Sequence, residues 1–310
     1  ERYFRALVIW QTEPPFSLGA NLKKATERPK TEVSSAPPAP PPPPSFFEKL
    51  FKRARKATEA AVLQAARSLD MADKLMAGKL AEVEVMIAHF QQISQQLRYS
   101  VIPTVAAVDN MALGGGCEFV MHCDRAVATL ETYIGLVEAG VGLLPAGGGC
   151  KEFALRAARN APDGDPFPML KHHFQTVAMA QLAKSAEQAK ALHYLKPADV
   201  VVMNRLELLH VAKAQAQALI ETGYRPPLRS REIVVAGATG AATLKGNMVN
   251  LLEGGFISEH DYLIGSKIAD VMCGGDIVAG SRVDEEWLLK LERAAFIELL
   301  ATEKTQERIA

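Results

Sequence analysis

An α/β core is what this sequence predicts, and three observations lead there. Apolar runs at 6–10, 104–108 and 125–129 have the length and composition of buried strands. Stretches with apolar residues at helical spacing lie between and after them. Glycine clusters stand at 114–116 and 147–149, the first directly after a strand and before a helix-compatible run. Strands alternating with helices define the α/β class. The 310 residues allow one large domain or two small ones, with ample material for a core.

The elements follow in order. Ala6-Leu7-Val8-Ile9-Trp10 reads as a short buried strand, ended by Pro14-Pro15. Phe16 to Leu22 reads as a turn around Gly19. Residues 29–44 then hold eight prolines, with Pro40 to Pro44 consecutive. Such a stretch forms neither helix nor central strand and is expected as an extended polyproline linker. Residues 46–56 place Phe46, Phe47, Leu50 and Phe51 on one helical face and their cations largely elsewhere. That pattern fits a basic amphipathic helix on an anionic membrane or a partner, and it fits the commoner case of a helix docked on its own protein. Residues 57–98 continue as helix. Strands are expected at Thr104–Val108 and Arg125–Thr129. Beyond about residue 165 the pattern turns helical: one helix over roughly 170–193, a second from Leu206 to about Glu221 with Asn204 as cap and Gly223 as stop, a third from Ser258 to Gly274-Gly275 with Ser258 and Asp261 as a capping-box pair, and a fourth after Asp284.

Composition removes several function classes. Lys and Arg number 35 against 35 Asp and Glu, so the chain lacks the basic field of a general nucleic-acid binder. No apolar run approaches the roughly 20 residues that span a bilayer. Glu1-Arg2-Tyr3-Phe4-Arg5 is too polar for a signal peptide. Cys117, Cys123, Cys150 and Cys273 are scattered without a CxxC pair, which points away from a disulfide framework or a metal centre and toward a reducing, cytoplasmic compartment. The chain starts with Glu1 and enters an apolar run almost at once, as a piece of a longer polypeptide would.

Two segments carry the candidate chemistry. Ala112-Leu113-Gly114-Gly115-Gly116-Cys117-Glu118 joins a strand to a helix. Glycine lets the backbone approach a ligand, and a helix start offers free N–H groups at its positive end. An oxygen that gains negative charge could be held there, with Glu118 beside it. No Gly-Lys-Ser/Thr follows, so it is not a phosphate-binding Walker loop. Glu138 stands in the apolar, glycine-rich stretch Val137 to Gly149. Partial burial there would raise its pKa toward a proton-donor role.

These residues resemble the signature of the crotonase (enoyl-CoA hydratase) family: a glycine-rich turn ending in Cys117-Glu118, a second glutamate 20 residues later, and a Leu-Pro-Gly-rich loop at 143–149. Phe16 to Leu22 resembles that family's Phe-Ser-Ala-Gly-Ala-Asp-Leu segment. Asn21 stands where the family usually has Asp, and Val137 where it usually has Pro. The resemblance implies a ββα superhelix with two catalytic acids, Glu118 and Glu138. It implies an oxyanion hole from the Ala20 and Gly115 N–H groups, and substrate contacts from Leu18, Gly19, Asn21, Leu22 and Gly114. It divides the chain into a core at 1–160, N-terminally incomplete and carrying an insert at 23–84 of Pro-rich linker and helices, and an all-helical C-terminal region at 161–310. That region is similar to the tail of bacterial bifunctional proteins, which join a 3-hydroxyacyl-CoA dehydrogenase to a hydratase. On this basis the chain is expected to take an acyl-CoA substrate and need no metal or other cofactor, NAD belonging to the dehydrogenase half. The dehydrogenase half, a thiolase and further copies of the chain are the expected partners. A double-bond isomerase of the same fold and a non-catalytic docking half are the rival readings.

Ile233 to Ala242 imitates the strand, glycine turn and helix of a dinucleotide site without its GxGxxG spacing. His172, His173 and His260 have no nucleophile in a recognisable frame, and Cys117 reads as a small core thiol.

Overall fold

A computed structural model describes residues 4–11, 15–17 and 71–309 of the chain. The polyproline stretch, the amphipathic segment at 46–56 and most of the insert at 23–84 lie outside the described residues. So do Leu18, Gly19, Ala20, Asn21 and Leu22.

Four strands form an all-parallel sheet: β1 (Leu7–Ile9), β2 (Thr104–Val108), β4 (Arg125–Thr129) and β6 (Val200–Val202), in the order β1-β2-β4-β6. Val105 pairs with Arg125 and Val127 with Val200. Every residue of β2 is buried, as expected for a parallel strand covered on both faces. The faces separate by the strand's period of two. Ala106, Val108, Ala126 and Ala128 enter the main apolar core. Val105, Ala107 and Val127 pack into a second cluster with Leu208, Ala212 and Ala216 of α6 (Leu208–Glu221). A second, two-stranded parallel sheet joins β3 (Met111–Leu113) to β5 (Tyr133–Gly135). Between them stand α1 (Met71–Arg98) and α2 (Gly115–His122), and a 3-10 turn at Glu138–Val141 leads on to α3 (Gly149–Arg159).

The expected strands at 104–108 and 125–129 have the bounds read from the sequence. The strand expected as buried at 6–10 is instead half open, with Leu7 and Trp10 exposed. The reason is its place in the sheet: among the described residues β1 pairs with β2 alone.

The region after 161 is mostly helical but not all-helical. The helix expected over 170–193 is two, α4 (Phe167–Ala178) and α5 (Ala186–Ala191). The chain breaks at Ala180, whose φ of 46° no helix tolerates. Ala183 then pairs with Ile134, and Ser185 caps α5 by accepting the Gln188 N–H. Val200, Val201 and Val202 form the fourth strand of the main sheet. Three consecutive β-branched residues favour that conformation. Asp199 locks it in place by accepting the Ala126 N–H at 2.8 Å. Ile233-Val234 is β7, paired antiparallel with β8 (Arg282–Val283). Residues 233–242 therefore make a strand and a helix, α7 (Gly237–Glu253), outside the parallel sheet. Ser258 and Asp261 form the expected capping box at α8 (Glu259–Met272). Asp284 caps α9 (Glu285–Leu300), and α10 (Glu303–Ile309) follows. No helix among the described residues is long and apolar enough to cross a membrane, and all four cysteines are free and buried.

Candidate active site

The site is built at the turn between β3 and α2. Gly114 adopts φ 54° and ψ −126°, a conformation open to glycine and closed to residues with a Cβ. Its N–H donates to Gly135 O at 2.9 Å, which ties the turn to β5. Helix α2 begins at Gly115 with no side-chain cap on its first N–H groups among the described residues. Two aromatic and polar neighbours press on this start. A Cβ on Gly115 would stand 2.8 Å from Phe90 Cζ, and one on Gly116 would collide with the Ser17 side chain. Phe90 in turn stacks on Phe119, ring centroids 4.4 Å apart.

Ser17 reaches this place because residues 16 and 17 run alongside β3. The Ser17 N–H donates to Met111 O at 2.9 Å, and the Leu113 N–H to Ser17 O at 2.9 Å. The segment Leu18–Leu22, sought as oxyanion and substrate contacts, thus departs from a residue packed against the start of α2. Its own positions lie outside the described residues.

Glu118 stands one turn into α2 and is 3% exposed. Its Oε1 accepts two backbone N–H groups, from Gly147 and Gly149, each at 2.8 Å. Burial raises its carboxyl to about 7, against the pull of those two donors toward the charged form. The donors come from a turn made for close approach: a Cβ on Gly149 would lie 2.9 Å from Glu118 Oε1. A Cβ on Gly147 would collide with both Glu118 Oε2 and the Phe90 ring. Gly147→Ala is therefore expected to displace the carboxylate and lower turnover on the order of a hundredfold, since small misplacements at a reacting group have that effect. Steady-state kinetics on a well-folded variant checks it.

Glu138 opens the 3-10 turn at Glu138–Val141 and is half-buried. Its Oε2 is shielded from solvent and has no hydrogen-bond partner among the described residues. Burial pushes this acid well above the carboxylate range, and the charge of Glu118 pushes it further. The charge of Glu118 thus reaches Glu138 and favours its protonated form. Gly114, Gly115, Glu118 and Glu138 are brought into one neighbourhood.

Several residues of this neighbourhood escaped the sequence. Glu292 of α9 is fully buried, and the charge of Glu118 together with burial raises it to about 8. His122 Nδ1 donates to Glu118 O at 2.6 Å, and its Nε2 accepts from the buried Lys151 Nζ at 3.0 Å. Burial, then Lys151, keep this imidazole neutral, far below its ordinary pKa. The overlooked signal is an acid in phase with an apolar stripe: Glu292 follows Leu288 by four residues and precedes Ala295 and Leu299 by three and seven. Gln91 follows Ile87 in the same way on α1.

A glycine-rich helix start thus stands beside the buried Glu118 and the half-buried Glu138. Residues 66–161 match the family model of enoyl-CoA hydratase/isomerase. Over this region the chain is similar to that family. It is 41% identical over 228 residues to a probable 3-hydroxyacyl-CoA dehydrogenase of Bacillus subtilis (strain 168), covering 74% of this chain and 28% of that protein. It is 26% identical over 232 residues to a putative fatty acid oxidation complex trifunctional enzyme of Rickettsia felis, covering 75% and 29%. The chain spans under a third of the length of either relative. A solved enoyl-CoA hydratase from Bacillus halodurans aligns over 80% of this chain and 72% of its own, at 17% identity and a TM-score of 0.44.

Proposed function

We propose that the chain hydrates 2-enoyl-CoA thioesters to 3-hydroxyacyl-CoA, as one half of a bifunctional hydratase and 3-hydroxyacyl-CoA dehydrogenase of fatty-acid β-oxidation. The observation that carries this reading is the pair Glu118 and Glu138, each with a raised proton affinity, the second raised in part by the charge of the first. Water must be added across Cα and Cβ. Glu118, ionised, orients a water and takes one of its protons as the oxygen bonds to Cβ. Glu138, protonated, delivers its proton to Cα. Proton return from Glu118 to Glu138 closes the cycle, so the net change is one water added. Negative charge gathers on the thioester oxygen in between. The Gly115 N–H at the start of α2 is one donor aimed at it, and the Ala20 N–H is the proposed second. A single such donor is typically worth about 3 kcal/mol of barrier.

Both acids work only in opposite protonation states. Hydration is therefore expected to fall below about pH 7, where Glu118 becomes protonated, and to fall again at high pH as Glu138 loses its proton. The acid limb should drop about tenfold per pH unit. A profile flat from pH 5 to 8 (roughly the range where a carboxylate raised this far must change state) would contradict the assignment.

A double-bond isomerase needs a proton shuttle but no activated water, and one acid suffices for it. Two opposed acids favour the hydratase. The names of the two long relatives support a multi-domain fatty-acid oxidation setting with a dehydrogenase half; a thiolase and further copies of this chain are the further proposed partners.

A further inference from the structure

Glu118 and Glu292 are both buried against the start of α3, and Glu292 takes no part in the hydration steps. Glu292 Oε1 accepts the Lys151 N–H at 2.6 Å, and its Oε2 accepts from Gln91 Nε2 at 3.2 Å. Lys151 lies two residues past Gly149, whose N–H, with that of Gly147, holds Glu118. Gln91 Nε2 also donates to Ala146 O at 2.7 Å and to Leu289 O at 3.0 Å, and Arg293 donates to Gln91 Oε1. The turn at 146–151 is thus gripped at both ends, by Gln91 on the Ala146 carbonyl and by Glu292 on the Lys151 N–H. Helix α3 has no side-chain cap of its own. Its first turn needs an acceptor from elsewhere, and α9 supplies one from 141 residues away.

We propose that Glu292 is a positioning residue for Glu118: it holds the 146–151 turn so that the Gly147 and Gly149 N–H groups meet the Glu118 carboxylate. This rests on the reading of Glu118 as the group that activates water.

The sign of the effect follows from the surroundings. The titratable groups whose charges act on or feel Glu292 are Glu118 from α2, Glu138 from the 3-10 turn, and Cys150 and Lys151 from α3. Arg98, the last residue of α1, engages Glu152 of α3, and Tyr99 just beyond it donates to Glu285, an earlier residue of α9. Helices α8 and α10 spend charges elsewhere: Lys267 on Glu298, Lys304 on Glu259 and Arg308 on Asp261. Burial, then the charge of Glu118, raise Glu292, so an ionised Glu118 favours a protonated Glu292. Removing it takes no charge away from Glu118 but loosens the two N–H donors that favour the charged form. The pKa of Glu118 then rises.

The experiment is the pH profile of crotonyl-CoA hydration by the complete protein and its Glu292→Met, Glu292→Gln and Glu118→Gln variants. Glu292→Met is expected to move the acid limb up by about one pH unit, roughly a tenfold loss on that limb, with little change in KM. Glu292→Gln keeps an oxygen for the Lys151 N–H, while Gln91 retains the Ala146 and Leu289 carbonyls, so its limb should coincide with the native one. If Glu292→Met does not fold, Glu292→Asp carries the same expectation, because it keeps the acid but not the reach. A native limb in Glu292→Met or Glu292→Asp overturns the proposal, and so does a Glu292→Gln limb displaced as far as that of Glu292→Met. If Glu118→Gln turns over at the native rate, the hydratase reading itself fails and takes the proposal with it. If Glu118→Gln is inactive and the Glu292 limbs all coincide, only the positioning role falls.

Discussion

Glu118→Gln and Glu138→Gln are each expected to reduce hydration of a 2-enoyl-CoA at least a hundredfold in the complete protein. General acid–base groups contribute factors of about 10² to 10⁴. In Glu118→Gln the amide oxygen can still accept the Gly147 and Gly149 N–H groups, so the turn survives while the proton acceptor is lost. In Glu138→Gln an acid whose protonated form is favoured is replaced by a neutral amide of the same shape, so folding is little affected while the proton donor is lost. Thermal unfolding should therefore separate both variants from a stability defect. Near-native turnover in either one refutes its assigned role.

The second large effect is on stability. Glu152→Ala is expected to destabilise the fold by about 3–5 kcal/mol, because removing one partner of a buried ion pair strands the other charges. Glu152 is 1% exposed and accepts from Arg98 Nη1 through both oxygens, at 2.7 and 2.8 Å. Arg156 Nε donates to it at 3.1 Å and Lys151 Nζ at 3.4 Å. Lys151 Nζ, itself fully buried, also reaches Glu285 Oε2 at 3.2 Å. The cluster fastens α1, α3 and α9 together just behind the turn that holds Glu118. Burial alone would raise Glu152, but Arg98, Lys151 and Arg156 outweigh it and hold the carboxyl well below its usual range. Its contribution is therefore present above the unfolded carboxylate pKa and lost as pH falls through the lower folded value. Exposed pairs such as Arg282–Glu232 contribute little by comparison. Urea unfolding of Glu152→Ala at neutral pH measures the difference, and a loss below about 1 kcal/mol would contradict this account of the cluster.

The raised acids act in the opposite direction. Glu118, Glu138 and Glu292 bind protons more tightly folded than unfolded, so their contribution is complete below the unfolded pKa and is lost as pH rises through the folded values. The protein accepts this at the place where the proposed chemistry needs it.

Local signals made much of this legible. Strands 104–108 and 125–129 are short apolar runs with clear ends, and Ser258 with Asp261 announces its own helix. Gly114, ahead of Glu118, marks a backbone conformation that favours glycine. What escaped depends on partners far along the chain. Val200–Val202 is too short to stand out beside strong helical patterns, and it becomes a strand because β4 offers an edge and Asp199 an anchor. The break at Ala180 follows from Ala183 pairing with Ile134, which helical periodicity does not register. Glu292 and Glu152 sit on apolar faces, where a charge looks like an interruption until the donors from Gln91, Lys151 and Arg98 are seen around it.

The account turns on water being added by two acids acting on one double bond. The most direct measurement is incubation of crotonyl-CoA with the complete protein in water labelled with heavy oxygen, followed by mass analysis of the thioester product. The expected product is 3-hydroxybutyryl-CoA carrying the label at C3, absent in the Glu118→Gln and Glu138→Gln variants. Shifting of a double bond without uptake of labelled oxygen, or no conversion at all by the folded protein, would contradict it.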